Sequence, residues 1–67
     1  MKTKPLTTGQ RIRAAREAAG LSGTELAGLA KMPQSNISAI ECGRRDPETA
    51  TIRKIAAALG IAAGDLI

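Results

Sequence analysis

The sequence predicts an all-α protein, a single compact domain of four to five short helices, and three observations carry that expectation. Its 67 residues contain no Phe, Tyr or Trp, and no Val either, so the residues that most often populate strands are missing. Nowhere do apolar and polar residues alternate over a strand-like length. Instead Leu, Ile, Ala and Met recur at helical spacing between Gly and Pro stops. A chain of this length has room for one core, burying about 60% of the surface that its unfolded form exposes.

The elements follow in order. Residues 1–7, with Lys2 and Lys4, have no apolar periodicity and read as a flexible basic arm, either a frayed terminus or a strand of chain that lies along a partner. Helix one runs from Thr8 to Ala19: Thr7 and Gln10 fit a reciprocal capping box and Gly20 supplies a left-handed stop. Ile12, Ala15 and Ala19 form its inward face, while Arg16 sits at the edge of that stripe and needs a partner. Helix two has the clearest start, with Ser22 and Glu25 as a capping box and Leu21 and Leu26 at the two staple positions. It continues through Ala27, Leu29 and Ala30 and ends near Lys31, because Pro33 disfavours helical geometry at Met32. Pro33 suits the first position of helix three, which carries Ile37 and Ile40 inward and stops at Gly43. After an Asp46-Pro47 turn, Ile52, Ile55, Ala56 and Leu59 mark helix four, closed by Gly60, and residues 61–67 add a short fifth helix.

Composition narrows function. One Cys and no His exclude an internal disulfide, a zinc finger, an imidazole base and a Ser-His-Asp triad. No pocket-forming loop is evident, so the chain reads as a binder and not an enzyme, with no cofactor and no metal. Ten Lys and Arg against six Asp and Glu give a net charge of +4, which favours an anionic partner. The apolar runs are far shorter than a membrane span requires and no signal-type segment follows Pro5, so a cytoplasmic protein is expected.

Two short helices joined by a tight turn, with a polar face on the second and a basic chain around them, meet the physical requirements of a helix-turn-helix. The pattern Leu21-Ser22, Glu25-Leu26-Ala27, Ile37-Ser38, Ile40-Glu41, Gly43, Pro47 and Ile55-Ala56 with Leu59-Gly60 resembles the Cro/cI-type, lambda-repressor-like family over roughly residues 9–67. The resemblance implies a domain at residues 8–67 in which helix two crosses the DNA backbone and helix three, residues 33–42, enters the major groove. Because Ile37 and Ile40 face the core, Gln34, Ser35, Ser38 and Ala39 are left outward as candidate base readers. Gln34, Ser35 and Ala39 are similar to the reading set of lambda-type recognition helices. A Gln amide pairs with adenine N6 and N7, a Ser hydroxyl bonds to guanine, and an Ala methyl packs on the thymine methyl. A good bidentate pair discriminates by about 1–3 kcal/mol.

Phosphate contacts are expected from the backbone N–H groups of Gly23 and Thr24 at the start of helix two, and from Asn36 and Arg44. Arg45, in the loop after helix three, is a further candidate reader. The resemblance also implies a structural ion pair between Arg16 and Glu41. Cys42, at the end of helix three, reads as a small filler or as a redox-sensitive thiol. Three positions depart from the family's pattern. Gly23 stands in place of a Gln that would brace Gln34, Lys31 in place of a left-handed Gly, and Pro33 in place of a capping Ser or Thr.

The function implied is a sequence-specific DNA-binding regulator, a repressor, acting on double-stranded DNA as a homodimer, with Ile61, Leu66 and Ile67 as interface residues and no membrane partner. The rival is an antitoxin or bridging module on the same fold, whose partner is a protein. Strong salt dependence of duplex binding would separate the two.

Overall fold

The computed structural model describes residues 6–67, and most of the expected basic arm lies outside the described residues. Among the described residues there are helices and no strands. Helix α1 spans Thr8–Ala18, α2 Gly23–Ala30, α3 Gln34–Glu41 and α4 Thr49–Leu59, followed by a 3₁₀ turn at Ala63–Leu66. The all-α expectation holds, and the fifth helix is this single 3₁₀ turn.

The two predicted capping boxes close as drawn. Thr7 Oγ1 accepts from the Gln10 N–H at 3.1 Å while Gln10 Oε1 accepts from the Thr7 N–H at 2.9 Å. Ser22 and Glu25 do the same at 3.0 and 2.8 Å. Each box satisfies two amides that a helix start leaves without partners, worth on the order of 1 kcal/mol per cap.

The four α-helices also end alike. At each terminus one N–H reaches a carbonyl five residues back and the preceding N–H one three residues back: Leu21 to Arg16 and Gly20 to Glu17, Met32 to Ala27 and Lys31 to Gly28, Arg44 to Ala39 and Gly43 to Ile40, Ile61 to Ala56 and Gly60 to Ala57. This closure needs one residue in left-handed geometry. Gly20, Gly43 and Gly60 supply it at three ends, and Lys31, with φ 58° and ψ 48°, supplies it at the fourth. Lys31 therefore does keep the turn of the family pattern. It does so against the roughly 1–2 kcal/mol that a Cβ costs in this region.

The core joins all these elements. Ile12 from α1, Leu26 from α2, Ile37 from α3, Ile55 from α4 and Leu66 from the 3₁₀ turn are fully buried, with Ile40, Ile52, Ala27, Ala30 and Ala56 around them. Each large aliphatic contributes on the order of 1.5–3 kcal/mol by leaving water. Three expectations change. Ala19 caps α1 on the exposed side, because the helix ends one residue before it. Pro33 is the N-cap of α3, with φ −61° and ψ 142°, so the first helical residue is Gln34. Leu66 belongs to the core and is not a free interface residue.

Gly9 has no counterpart in the sequence reading. It is buried where α1 meets α3, and a Cβ there would overlap the carbonyl oxygen of Ile40 and lie 3.1 Å from its carbonyl carbon and 3.3 Å from Glu41 Cα. A missing side chain thus sets how closely the first helix approaches the third.

Candidate nucleic-acid interface

Helices α2 and α3 are joined by the three residues Lys31-Met32-Pro33. Lys31 reverses the chain, half-buried Met32 anchors the turn on the core, and Pro33 fixes the angle at which α3 begins. Ile37 and Ile40 turn inward from α3, so the opposite side of that helix is left to solvent. Gln34 and Ser35 are exposed there, while Ser38 and Ala39 are half-buried along its flanks. These four side chains are uncharged, and two of them present free hydrogen-bonding groups at the level of the first turn. Nothing acidic occupies that turn, and no side chain caps it, which leaves its leading N–H groups open to an anion or to water.

Gly23, at the start of α2, is where the Gln34 amide rests. An ideal Cβ on Gly23 would come within 3.5 Å of Gln34 Nε2, an ordinary contact, and would meet nothing else. The bracing side chain that the family resemblance implies is absent at Gly23, and the Gln34 amide makes no side-chain bond among the described residues. Beside Gly23, Thr24 is exposed. The Glu25 carboxylate is held at the same helix start by its bond to the Ser22 N–H, and its charge offsets part of the attraction that the Gly23 and Thr24 N–H groups offer an anion.

The predicted ion pair is present and fixes the back of α3. Glu41 accepts two bonds from Arg16, Nε to Oε2 at 2.7 Å and Nη2 to Oε1 at 3.0 Å, and the remaining Arg16 Nη1 donates to the Leu21 carbonyl at 2.8 Å. One guanidinium therefore ties together α1, the loop before α2 and the last turn of α3. The side chains are only 13% and 10% exposed, deep enough that water screens the pair weakly. The Arg16 pKa is raised, chiefly by the hydrogen bond to Glu41, with burial opposing it and the charges of Glu41 and Glu17 adding to it.

After α3, left-handed Gly43 folds the loop back so that Arg44 and Arg45, both exposed, emerge beside the helix. Arg45 Nη1 donates to Asn36 Oδ1 at 3.2 Å. Arg44 makes no side-chain bond among the described residues. Cys42 is exposed at the C-cap. Of the expected dimer residues, Ile67 is 70% exposed and Ile61 packs partly on the core. Among the described residues no cluster of three His, Cys, Asp or Glu side chains forms a metal site, and no helix is long and apolar enough to cross a membrane.

With this geometry in place, a family model described as a helix-turn-helix domain matches residues 8–67. The chain belongs to the helix-turn-helix family. Within it the chain is similar to an immunity repressor of Bacillus phage phi105, 39% identical over 56 residues, which cover 84% of the chain and 39% of the repressor. The chain thus spans well under half the length of that relative. Among solved structures it is similar to the restriction-modification controller protein C.AhdI from Aeromonas hydrophila, with TM-score 0.87 and 38% identity over 90% of this chain and 91% of that one. It is also similar to SinR, described as a master regulator for biofilm formation and solved in complex with DNA, with TM-score 0.85 and 33% identity over 90% and 97% of the two chains. Both the Cro/cI-type resemblance and the lambda-repressor-like fold are borne out. The helix-turn-helix family to which this chain belongs is one of DNA-binding transcriptional regulators.

Proposed function

We propose that the protein is a sequence-specific transcriptional repressor, without enzymatic activity, that acts in the cytoplasm and reads double-stranded DNA by inserting α3 into the major groove. The observation that carries this is the outward side of α3: uncharged Gln34 and Ser35 stand free on a helix whose back is held by a partly buried ion pair, with Arg44 and Arg45 beside it. Rigid presentation of neutral hydrogen-bonding groups, flanked by positive charge, is what discrimination among base edges requires. Gln34 and Ser35 read bases directly, Ser38 and Ala39 pack against base edges, and Arg45 adds a further contact. Gly23, Thr24 and Arg44 hold phosphates, and the basic arm of residues 1–7 extends the electrostatic footprint of the domain at residues 8–67. The repressor name of the phage relative and the DNA complex of SinR support this assignment.

A single such domain makes too few base contacts for tight operator binding, so the working unit is a homodimer on two half-sites about one helical turn apart, with exposed Ile67 in the interface. Selection of bound duplexes from a random pool tests the whole proposal. A two-fold symmetric consensus is expected, with affinity falling steeply as salt rises. The Gln34→Ala variant should lose about 1–3 kcal/mol of preference at one base position per half-site and keep the others. No consensus, or uniform weakening across all sequences in Gln34→Ala, would reject it.

A further inference from the structure

We infer, on the basis of the DNA-reading role proposed above, that Asn36 acts on DNA through Arg45, as a positioning residue that presets the guanidinium beside α3, and not as a phosphate contact of its own. Arg45 is followed by Asp46, and Glu48 lines the same cleft, yet among the described residues it forms no ion pair within 4.0 Å. Its guanidinium bonds instead to the Asn36 amide, nine positions earlier in the sequence, at 3.2 Å. The choice of partner matters chemically. A carboxylate would neutralise the guanidinium and compete with DNA for it. An amide oxygen engages one of its five N–H donors and leaves the full positive charge and the other donors available.

The backbone beneath this contact is also fixed. The Arg44 N–H donates to the Ala39 carbonyl at 2.9 Å and the Gly43 N–H to the Ile40 carbonyl at 3.1 Å, so the chain leading to Arg45 is bonded to α3 before the side chain is. Asn36 is half-buried, held one residue before the core residue Ile37, and so offers a rigid acceptor to a flexible donor. Because a guanidinium only donates, the bond also sets the sense of the Asn36 amide: its oxygen faces Arg45. A free arginine gives up considerable rotamer freedom on binding. One held beforehand gives up less and arrives in a defined orientation, suited to the paired acceptors O6 and N7 of a guanine. Arg45 and the outer side of α3 then read as one rigid unit.

The experiment compares wild type, Asn36→Ala, Arg45→Ala, the double variant and Asn36→Asp, using the duplex selected by the wild-type protein and a panel of its single base-pair substitutions. Arg45→Ala is expected to relax preference at one base pair, by about tenfold or more. Asn36→Ala should relax the same base pair, by less, and the double variant should be no worse than Arg45→Ala. Asn36→Asp puts a carboxylate where the amide oxygen was, so it should compete with DNA for the guanidinium and relax preference at that same base pair while also binding every duplex more weakly. Thermal unfolding of each variant guards against loss of fold, and binding is compared only at temperatures where all are native. Uniform weakening by Asn36→Ala with discrimination intact would mark a phosphate contact and overturn the inference, as would additive penalties in the double variant. An Arg45→Ala protein that keeps every base preference would also overturn it, while leaving the role of Gln34 standing. A wild-type protein that selects no consensus would overturn the DNA-reading proposal itself and this inference with it.

Discussion

The two helices of the motif are held by opposite means. Helix α2 carries its own boundaries: a capping box at Ser22 and Glu25 fixes its start through side chains within one turn. Helix α3 has no such side-chain cap, since its N-cap is Pro33, and its pose depends on packing against α2 and on α1, through the close approach at Gly9 and the Arg16–Glu41 pair. The start of the first helix of the motif is therefore specified by neighbours in sequence and the pose of the second more by partners in space. A helix set by local signals can form early and tolerates change elsewhere. One set by tertiary contacts has its orientation written into the packing, which is what a reading surface needs.

Substitutions should break this contrast in a definite order. Gly9→Ala is the most damaging, because the added methyl meets the backbone of Ile40 and no side-chain rotation relieves it. A loss of about 2–3 kcal/mol in urea unfolding is expected, with duplex affinity falling further as α3 is displaced. Next comes Glu41→Gln, which leaves the partly buried Arg16 charge beside a neutral partner and should cost about 2 kcal/mol, below the range for full burial. Exchange of both residues for Met and Leu should recover most of that loss, since a well-packed apolar pair is about as stable as a buried ion pair. The raised Arg16 pKa gives this contact a simple pH dependence on its basic side. Its contribution is fully present below the ordinary guanidinium value and is lost only as pH rises through the raised one, so stability measured across the neutral range should show no titration of Arg16.

Smaller effects sharpen the contrast instead of breaking it. Lys31→Gly removes the one non-glycine residue in left-handed geometry among the described residues and should stabilise the domain by about 0.5–1 kcal/mol, visible as a higher denaturation midpoint. Pro33→Ser supplies the missing cap, worth about 1 kcal/mol, but gives up a similar entropic benefit of proline in the unfolded chain. Its net effect should lie within about 0.5 kcal/mol, measured by the same unfolding curve.

Much of this was legible in the residues alone, and the reason is local physics. Capping boxes, glycine stops and the inward positions Ile12, Leu26, Ile37, Ile40, Ile52 and Ile55 depend on neighbours within a turn or two. The misjudged positions depend on what lies across the fold. Ala15 and Ala19 share a stripe on a helical wheel, but only Ala15 is covered, because α1 stops before the second. Leu66 is buried through a 3₁₀ turn, whose tighter pitch aims side chains differently from the α-helical pattern assumed for it. For the candidate site, exposure of Gln34 and Ser35 followed from Ile37 and Ile40. The bond between Asn36 and Arg45 did not, since it needs the loop to fold back along α3. The signal that would have flagged Gly9 was a glycine inside the first turn of an otherwise strong helix, a position where alanine would be preferred unless space forbids it.

The contact at Gly9 has a consequence for how such a protein can change its target. With spacing between the first and third helices set by two backbones touching, there is little freedom to tilt or slide α3, and on the proposed reading new preferences come from exchanging the few outward groups at 34, 35, 38, 39 and 45. The domain is in that sense a fixed holder with a replaceable key, and transplanting those positions from a relative should carry that relative's sequence preference while leaving the angle of entry into DNA as it was.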